Sequence, residues 1–343
     1  MSRPCCCFRE LSCALAVLAT WLPVTAKLAC ADNSYDSYYS TASEQTADAS
    51  HLEPLAEIPL SDVVPQDERD SWADELPLGP LFEDCDPMDT WRWQLAPPGL
   101  IYRSYLAGVH EPRTSILAFH EGASRTIWDA TIGGRGGILR FGTSDPLRPE
   151  GYQLDVYGAA IARLDVENRQ DLDSTDYVFG FPLTYGFDQW QFKCGYAHIS
   201  SHLGDELALR EPGTLAQRVN YVRDSIVFGT SVFPNPVWRM YGEVGWSFHI
   251  GGGAQPWEMQ FGTELSLPGP TDLRGTPFFA LNGRMREEHD FGGDVTVQAG
   301  WLWRGVTGQA IRLGAHYYNG KSSQYQFFET SEEQIGMGLW YDF

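Results

Sequence analysis

The stretch Trp238-Arg239-Met240-Tyr241-Gly242-Glu243-Val244-Gly245-Trp246-Ser247-Phe248 decides the fold class. Trp238, Met240, Val244, Trp246 and Phe248 share one parity, and Arg239, Tyr241, Glu243, Gly245 and Ser247 share the other. Successive side chains of an extended strand point to opposite faces, so one face of this segment is apolar and the other polar and charged. The split recurs along the chain. Trp257, Met259, Phe261 and Leu265 oppose Glu258, Gln260 and Glu264. Val295, Val297, Trp301 and Trp303 oppose Thr296, Gln298 and Arg304, and Ile311, Leu313 and Tyr317 oppose Arg312, Gly314 and His316.

A soluble sandwich also alternates, so the identity of the two faces has to carry the argument. The polar face holds Arg163, Lys193, Arg223, Arg239, Arg284, Arg304 and Arg312 in mid-strand, with Asp155, Glu243, Glu258 and Glu264. The apolar face is rich in Trp, Tyr and Phe near strand ends, as in the aromatic girdles of a membrane interface. The chain ends on Ile335, Met337, Leu339, Tyr341 and Phe343, apolar at every second position back from an aromatic terminus. This resembles the signal that bacterial outer-membrane barrels present to their insertion machinery, which makes that machinery an expected partner through Phe343. Open sheet edges are not tolerated in lipid, so such a sheet closes on itself.

The expected fold is all-β, a single transmembrane antiparallel up-and-down barrel of about 12 strands from residue 99 to 343. Residues 125–142 read as one strand or as two broken at Gly133-Gly134. Pro182 inside a strand argues against regular pairing there. Tight turns at Phe187-Asp188 and Pro234-Asn235-Pro236 alternate with longer loops at 202–217 and 319–332, the asymmetry of short periplasmic and long external connections. Ile101–Ala107 reads as a periplasmic lead-in strand or a small plug. Inward bases (Arg163, Lys193, Arg223, Arg239, Arg284, Arg286, Arg304, Arg312) nearly balance inward acids (Asp155, Asp165, Glu243, Glu258, Glu264, Asp342), which favours a salt-bridged filling over a selective channel.

The rest of the chain has a different grammar. Arg3 and Arg9 precede an apolar run, Leu11 to Ala26, and Ala29-Cys30-Ala31 is a small-x-small site, so 1–31 reads as a secretory signal peptide. Lys27 stands where a lipobox wants an apolar residue, which disfavours a lipoprotein through Cys30. Five of the seven cysteines leave with that segment; Cys85 and Cys194 remain, too few for a disulfide scaffold. From Asp32 to Pro80 there are 12 acidic residues and one base, with no apolar periodicity. Residues 32–98 therefore read as a disordered acidic arm, expected in the periplasm.

Composition narrows the function. The chain has 343 residues, with 24 Lys+Arg against 45 Asp+Glu and a formal charge of -21. That balance excludes a nucleic-acid partner that is held through phosphates. A mean hydropathy of -0.29 excludes a multi-helix membrane protein. The expected location is the cell outer membrane, with its lipids as partners.

One strand carries candidate chemistry. In Trp190-Gln-Phe-Lys-Cys-Gly-Tyr-Ala-His-Ile-Ser-Ser-His-Leu-Gly-Asp-Glu206, the lipid-facing parity of Trp190, Phe192, Cys194 and Tyr196 continues to His198, Ser200 and His202. Cβ atoms two residues apart on a strand are about 6.5–7 Å apart, within side-chain reach, so the imidazole of His198 is placed to take the Ser200 hydroxyl proton. This His-x-Ser on an outward strand resembles outer-membrane phospholipase A and the lipid A deacylases. The resemblance implies Ser200 as nucleophile, His198 as base and an Asn or acid downstream. Asn220 is the first candidate for that third place, with Asp224, Asp205 and Glu206 as alternatives; Ser201 stands where those enzymes carry an Asn. The plain alternative is that His198, Ser200 and His202 are interfacial polar residues meeting headgroups. Asp165, Asn168, Asp171, Asp173 and Asp176 cluster in sequence, and Asp171, Asp173 and Asp176 are the candidate Ca²⁺ ligands.

Over about 240 residues the chain also resembles a bacterial family known only as domain of unknown function 1207. The carrying segments are Arg140-Phe-Gly-Thr-Ser144, Pro182-Leu-Thr-Tyr-Gly186, His198 to Glu206, Asn220-Tyr-Val-Arg-Asp224, Phe291-Gly-Gly293, Tyr318 to Phe328 and Leu339-Trp-Tyr-Asp-Phe343. The resemblance implies a barrel and brings no activity. Three functions stand at this point: a structural or binding barrel first, a lipid-face esterase second, a small-solute pore third. Fold does not choose among them.

Overall fold

The computed structural model describes residues 90–122 and 125–343. The expected signal peptide with its cleavage site, Cys85 and nearly all of the expected acidic arm lie outside the described residues. Twelve strands form the wall: β2 (Thr114–Glu121), β3 (Arg125–Gly142), β4 (Gly151–Asp165), β5 (Asp171–Phe187), β6 (Trp190–Leu203), β7 (Val222–Asn235), β8 (Trp238–Gly251), β9 (Trp257–Leu265), β10 (Thr276–Arg286), β11 (Gly293–Arg304), β12 (Ala310–Lys321) and β13 (Ser331–Asp342). Each pairs antiparallel with its chain neighbours, and β13 pairs with β2, so the sheet is closed. A four-residue strand, β1 (Arg92–Leu95), pairs with Leu139–Gly142 of β3, beyond the reach of the short β2. The expected arm boundary at residue 98 thus falls inside ordered structure.

The Gly133–Gly137 run does not break β3. Pairing with β4 continues through it, and the ladder skips one residue between Gly137 and Leu139. Arg135, in the middle of the run, turns inward and its Nη2 donates to Asp155 at 2.6 Å. Pro182 behaves as its chemistry requires: it has no N–H, and β4–β5 pairing lapses between Leu154↔Leu183 and Tyr157↔Gly180. The loop asymmetry holds only in part. At the end where β2 begins and β13 finishes, 188–189 and 236–237 are tight, but 143–150 and 266–275 are as long as most connections at the other end.

The two faces separate as the alternation requires. On β12, Ile311 and Leu313 are exposed on the outside, whereas Arg312 and His316 are buried. Every inward base named above is buried. Arg163 donates to both oxygens of Asp129 at 2.9 and 2.8 Å and to Glu332 at 2.6 Å. Arg284 pairs with Asp294, Arg312 with Asp342, Arg223 with Glu258, and Lys193 with Glu243. A guanidinium leaves water only where carboxylates and carbonyls replace its hydration, and these pairs supply them.

The lumen is occupied from both ends. Residues 96–113 run into it as a plug. Arg239 donates to the carbonyls of Arg103 and Ser104, Arg113 and Arg312 to that of Leu106, and Glu264 accepts the Leu106 N–H at 2.7 Å. The Tyr105 ring stacks on Tyr241 with centroids 3.8 Å apart. From the other end the loop 322–330 folds inward and buries Gln324, Tyr325 and Phe328. Plug and loop meet where the His110 ring stacks on Tyr325, centroids 4.6 Å apart. Between them is a cavity of about 130 Å³, lined among others by His110, Glu111, Arg135, Lys193, Glu243 and Tyr325.

Candidate functional site

The site sits on the outer wall where β5, β6, β7 and β8 lie side by side. On β6, Lys193 and Ser201 are buried toward the lumen, so the opposite parity, Tyr196, His198, Ser200 and His202, faces out. The β6–β7 register sets His198 beside Asp224 and Ser200 beside Val222. Arg223 points inward to Glu258, which turns Asp224 outward. His198 Nδ1 lies 2.7 Å from Asp224 Oδ1. The Tyr196 hydroxyl donates to the same oxygen at 2.5 Å, and His249 Nδ1 lies 2.7 Å from Oδ2. An ionised carboxylate only accepts, so both imidazoles carry their proton on Nδ1 and leave Nε2 as an acceptor.

The surroundings are apolar. Phe179 lies against the His198 ring with centroids 4.7 Å apart, and Phe248 lies 6.3 Å from Tyr196. His198 and Asp224 side chains are about one-fifth exposed, against 62% for His249. Asp224 is the third residue of β7 and His249 is near the last of β8, so the cluster stands at the edge of the apolar band, toward the long 204–221 loop.

Ser200 is on the same face, two residues beyond His198, and donates no hydrogen bond to it among the described residues. Of the four candidates for the third place, only Asp224 reaches the imidazole. Asn220 is exposed just before β7, and Asp205 and Glu206 are exposed in the first turn of the short helix α1 (Asp205–Arg210); the chain leaves the wall before it reaches any of them. Ser201 is on the lumenal side and donates to Asp176. His202 packs edge-on to Tyr177, centroids 5.7 Å apart.

The expected calcium ligands do not assemble. Asp176 is buried in the lumen, bonded to Ser201, His110 and the Tyr325 N–H. Asp171 and Asp173 are held by Arg210, and Asp173 also by Arg125. Arg210 thus holds Asp171 and Asp173 together and guanidiniums already neutralise both, while Asp176 is engaged deeper in the lumen by other partners. No group of three His, Cys, Asp or Glu among the described residues is arranged to hold a metal.

Parity alone puts His249 on the lumenal side with Tyr241, Glu243 and Ser247. Phe248 is an extra residue in the β7–β8 ladder, which passes from Asp224↔His249 to Ser225↔Ser247. That bulge reverses the parity and brings His249 out to Asp224.

Comparison with known proteins came to the following. Among solved structures, the chain is similar to the Salmonella typhi outer membrane phospholipase (OMPLA) dimer with bound calcium, at 11% identity over 67% of this chain and 90% of that one, TM-score 0.46. Outer membrane phospholipase A from Escherichia coli gives 10% identity, 67% and 96% coverage and TM-score 0.46. The KdgM porin gives 11% identity, 67% and 99% coverage and TM-score 0.34. All three scores lie below one half, and the barrel assignment rests on the closed strand order of this chain itself. No curated protein matches the chain. Residues 149–343 match the model of the family described as protein of unknown function (DUF1207), more than half of the sequence and ten of the twelve wall strands, all but β2 and β3. The chain belongs to that family.

Proposed function

We propose that the protein is a membrane-embedded lipid acyl hydrolase of the bacterial outer membrane, with Ser200 as nucleophile, His198 as base and Asp224 as the group that holds the imidazole. The observation that carries this reading is the 2.7 Å contact of His198 Nδ1 with Asp224 on the outward, apolar face. The carboxylate fixes the tautomer whose bare Nε2 accepts a hydroxyl proton, and Ser200 is the hydroxyl on that face. Catalytic hydrogen bonds are often open without substrate.

In the proposed reaction Ser200 Oγ attacks the ester carbonyl of a lipid while its proton passes to His198 Nε2. The alcohol leaves with that proton, and an acyl-Ser200 ester remains. Water, deprotonated by the same nitrogen, then releases the fatty acid and restores the serine. Phe179, Phe248 and Tyr177 line the wall along which an acyl chain lies.

An apolar exterior around a paired ionic interior is the arrangement a lipid-embedded closed sheet needs, which supports the outer-membrane location. On the same reading the chain termini face the periplasm, the acidic N-terminal segment lies there, and the β13 strand ending in Phe343 is what the insertion machinery engages. A lumen occupied by the plug and by the 322–330 loop argues against the pore reading.

The test is release of fatty acid from phospholipid or lipid A vesicles by purified, refolded full-length protein, compared with Ser200→Ala, with and without Ca²⁺. Hydrolysis lost in Ser200→Ala and indifferent to Ca²⁺ is expected. Equal release by both proteins, or by neither, overturns the reading and leaves a structural or binding barrel.

A further inference from the structure

The end of the barrel where β2 begins and β13 finishes gathers several guanidiniums with few counter-charges. A cavity of about 60 Å³ opens there between the plug, the 143–150 loop and the 236–237 and 266–275 turns. Four guanidiniums line it, from Arg103, Arg148, Arg239 and Arg304, against one carboxylate, Glu264. Glu264 is already used: Arg239 lies 3.3 Å from it and the Leu106 N–H donates to it. The other three arginines form no ion pair among the described residues. Arg304 donates only to neutral acceptors, the carbonyls of Leu267 and Gly308 and the Ser266 hydroxyl. Arg103 donates to the Leu147 carbonyl, and Arg148 rests over the Phe233 ring, 5.1 Å from its centroid.

This contrasts with Arg163 and Arg284 toward the other end of the lumen, and with Arg312, each of which faces a carboxylate. Asp145 and Asp342 lie near enough to act on Arg103 and Arg304 without pairing with them, and guanidiniums that outnumber their counter-charges repel one another in a partly desolvated site. Burial, with Arg304 and Arg239 beside it, pushes Arg103 down to about 9. Arginine keeps its proton under nearly all conditions, so that pressure is relieved in practice by an anion. The amide of Gln191 reaches the same cavity with its oxygen buried and unpartnered; turned about its last torsion it presents its NH₂ instead.

We propose that this mouth is an anion-binding site that takes a phosphate group between Arg103, Arg148 and Arg304, beneath Arg239. The size fits: about 60 Å³ holds roughly four waters, close to the five heavy atoms of phosphate. Guanidinium forks match tetrahedral oxyanions through paired N–H donors. Arg103 and Ser104 belong to the plug and their carbonyls accept from Arg239, so the bound anion also ties the plug to the wall. Inorganic phosphate and the phosphodiester of a lipid headgroup offer the same oxygens.

Inorganic phosphate titrated calorimetrically into the full-length protein in nonionic micelles, at constant ionic strength with chloride as reference, tests the site. One saturable phosphate site is expected, weakened about tenfold or more by Arg148→Gln and lost in Arg103→Gln/Arg148→Gln, since each substitution removes a charge-assisted contact. Arg148 bonds no other side chain, so Arg148→Gln decides the matter if the double variant fails to fold. The titration is then repeated in phosphatidylcholine vesicles with and without phosphatidylglycerol. Phosphate heat retained in both supports free phosphate as ligand, and heat abolished by phosphatidylglycerol supports the headgroup. Identical heats for phosphate and chloride, or an affinity unchanged by Arg148→Gln, overturn the proposal.

Discussion

Replacing Arg163 by methionine removes the positive centre from a buried cluster and leaves its two carboxylates behind. The guanidinium side chain is 2% exposed and spans Asp129 and Glu332, whose side chains are 11% and 2% exposed. Ser323 adds a fourth bond at 2.8 Å. Breaking a buried pair from one side costs about 3–5 kcal/mol, because the remaining charge keeps its desolvation penalty without its partner. With a urea slope of about 2 kcal/mol per molar, Arg163→Met should lower the unfolding midpoint by roughly 1.5–2.5 M. Neutralising the stranded acids should return most of it, so Arg163→Met/Asp129→Asn/Glu332→Gln is expected within about 1–2 kcal/mol of the parent. The assay is urea unfolding in phosphatidylcholine vesicles, followed by tryptophan emission and by the gel-mobility difference between folded and unfolded barrel. A loss below about 1 kcal/mol for Arg163→Met, the worth of a solvated pair, would mean that bulk water reaches these carboxylates, and the packed lumen described here would be wrong.

Other outcomes follow from particular contacts. If His198 is the base, Asp224→Asn should lower kcat for lipid hydrolysis by roughly a thousandfold to ten-thousandfold, since the wrong tautomer is then favoured, whereas Asn220→Ala should leave it unchanged; equal effects of the two would remove Asp224 from the site. His110 takes a bond from Arg284 at Nδ1, 2.7 Å, and donates from Nε2 to Asp176, 3.0 Å, so it is held neutral. Burial pushes its ionisation down, with Arg284 adding to this and the Asp176 bond opposing it. A base depressed in the folded state contributes stability above its unfolded value, about 6.5, and loses it as pH falls through the folded one, so the thermal midpoint should drop from pH 7 to pH 5 and drop less in His110→Asn. A fluorophore on Cys194, in a Cys85→Ser background, should be quenched by brominated acyl chains and not by aqueous iodide, since the thiol is exposed on the outer wall. In planar bilayers the intact protein should show no steady conductance; a stable open level would contradict the occupied lumen.

Much of the wall was legible because its two faces meet different solvents. The parity of β8, β11 and β12 and the inward course of the eight bases follow from residue order alone, and the structure keeps them. That His198 and Ser200 share the outward face was legible for the same reason, being two residues apart on one strand. The plug was half legible: the sequence marked Ile101–Ala107 as lead-in or plug, but its bonds go to Arg239, Glu264 and Arg312, well over a hundred residues away. The calcium expectation rests on three aspartates near in sequence, and what sequence does not show is that Arg210 and Arg125 occupy Asp171 and Asp173 while Asp176 is bound by Ser201, His110 and the Tyr325 N–H.

By itself, then, the order of residues determined which side chains face outward and which face the interior, since a period of two needs no partner strand to be read. It could not select Asp224 over Asn220, because the choice depends on where β7 begins to pair with β6. Nor could it bring out His249, because one inserted residue at Phe248 reverses every side chain beyond it, and only the neighbouring strand's register shows where that residue goes. The unpaired arginines at the mouth are likewise a tertiary fact: Arg103, Arg148 and Arg304 are far apart in the chain, and closure of the sheet around the plug is what sets them about one cavity.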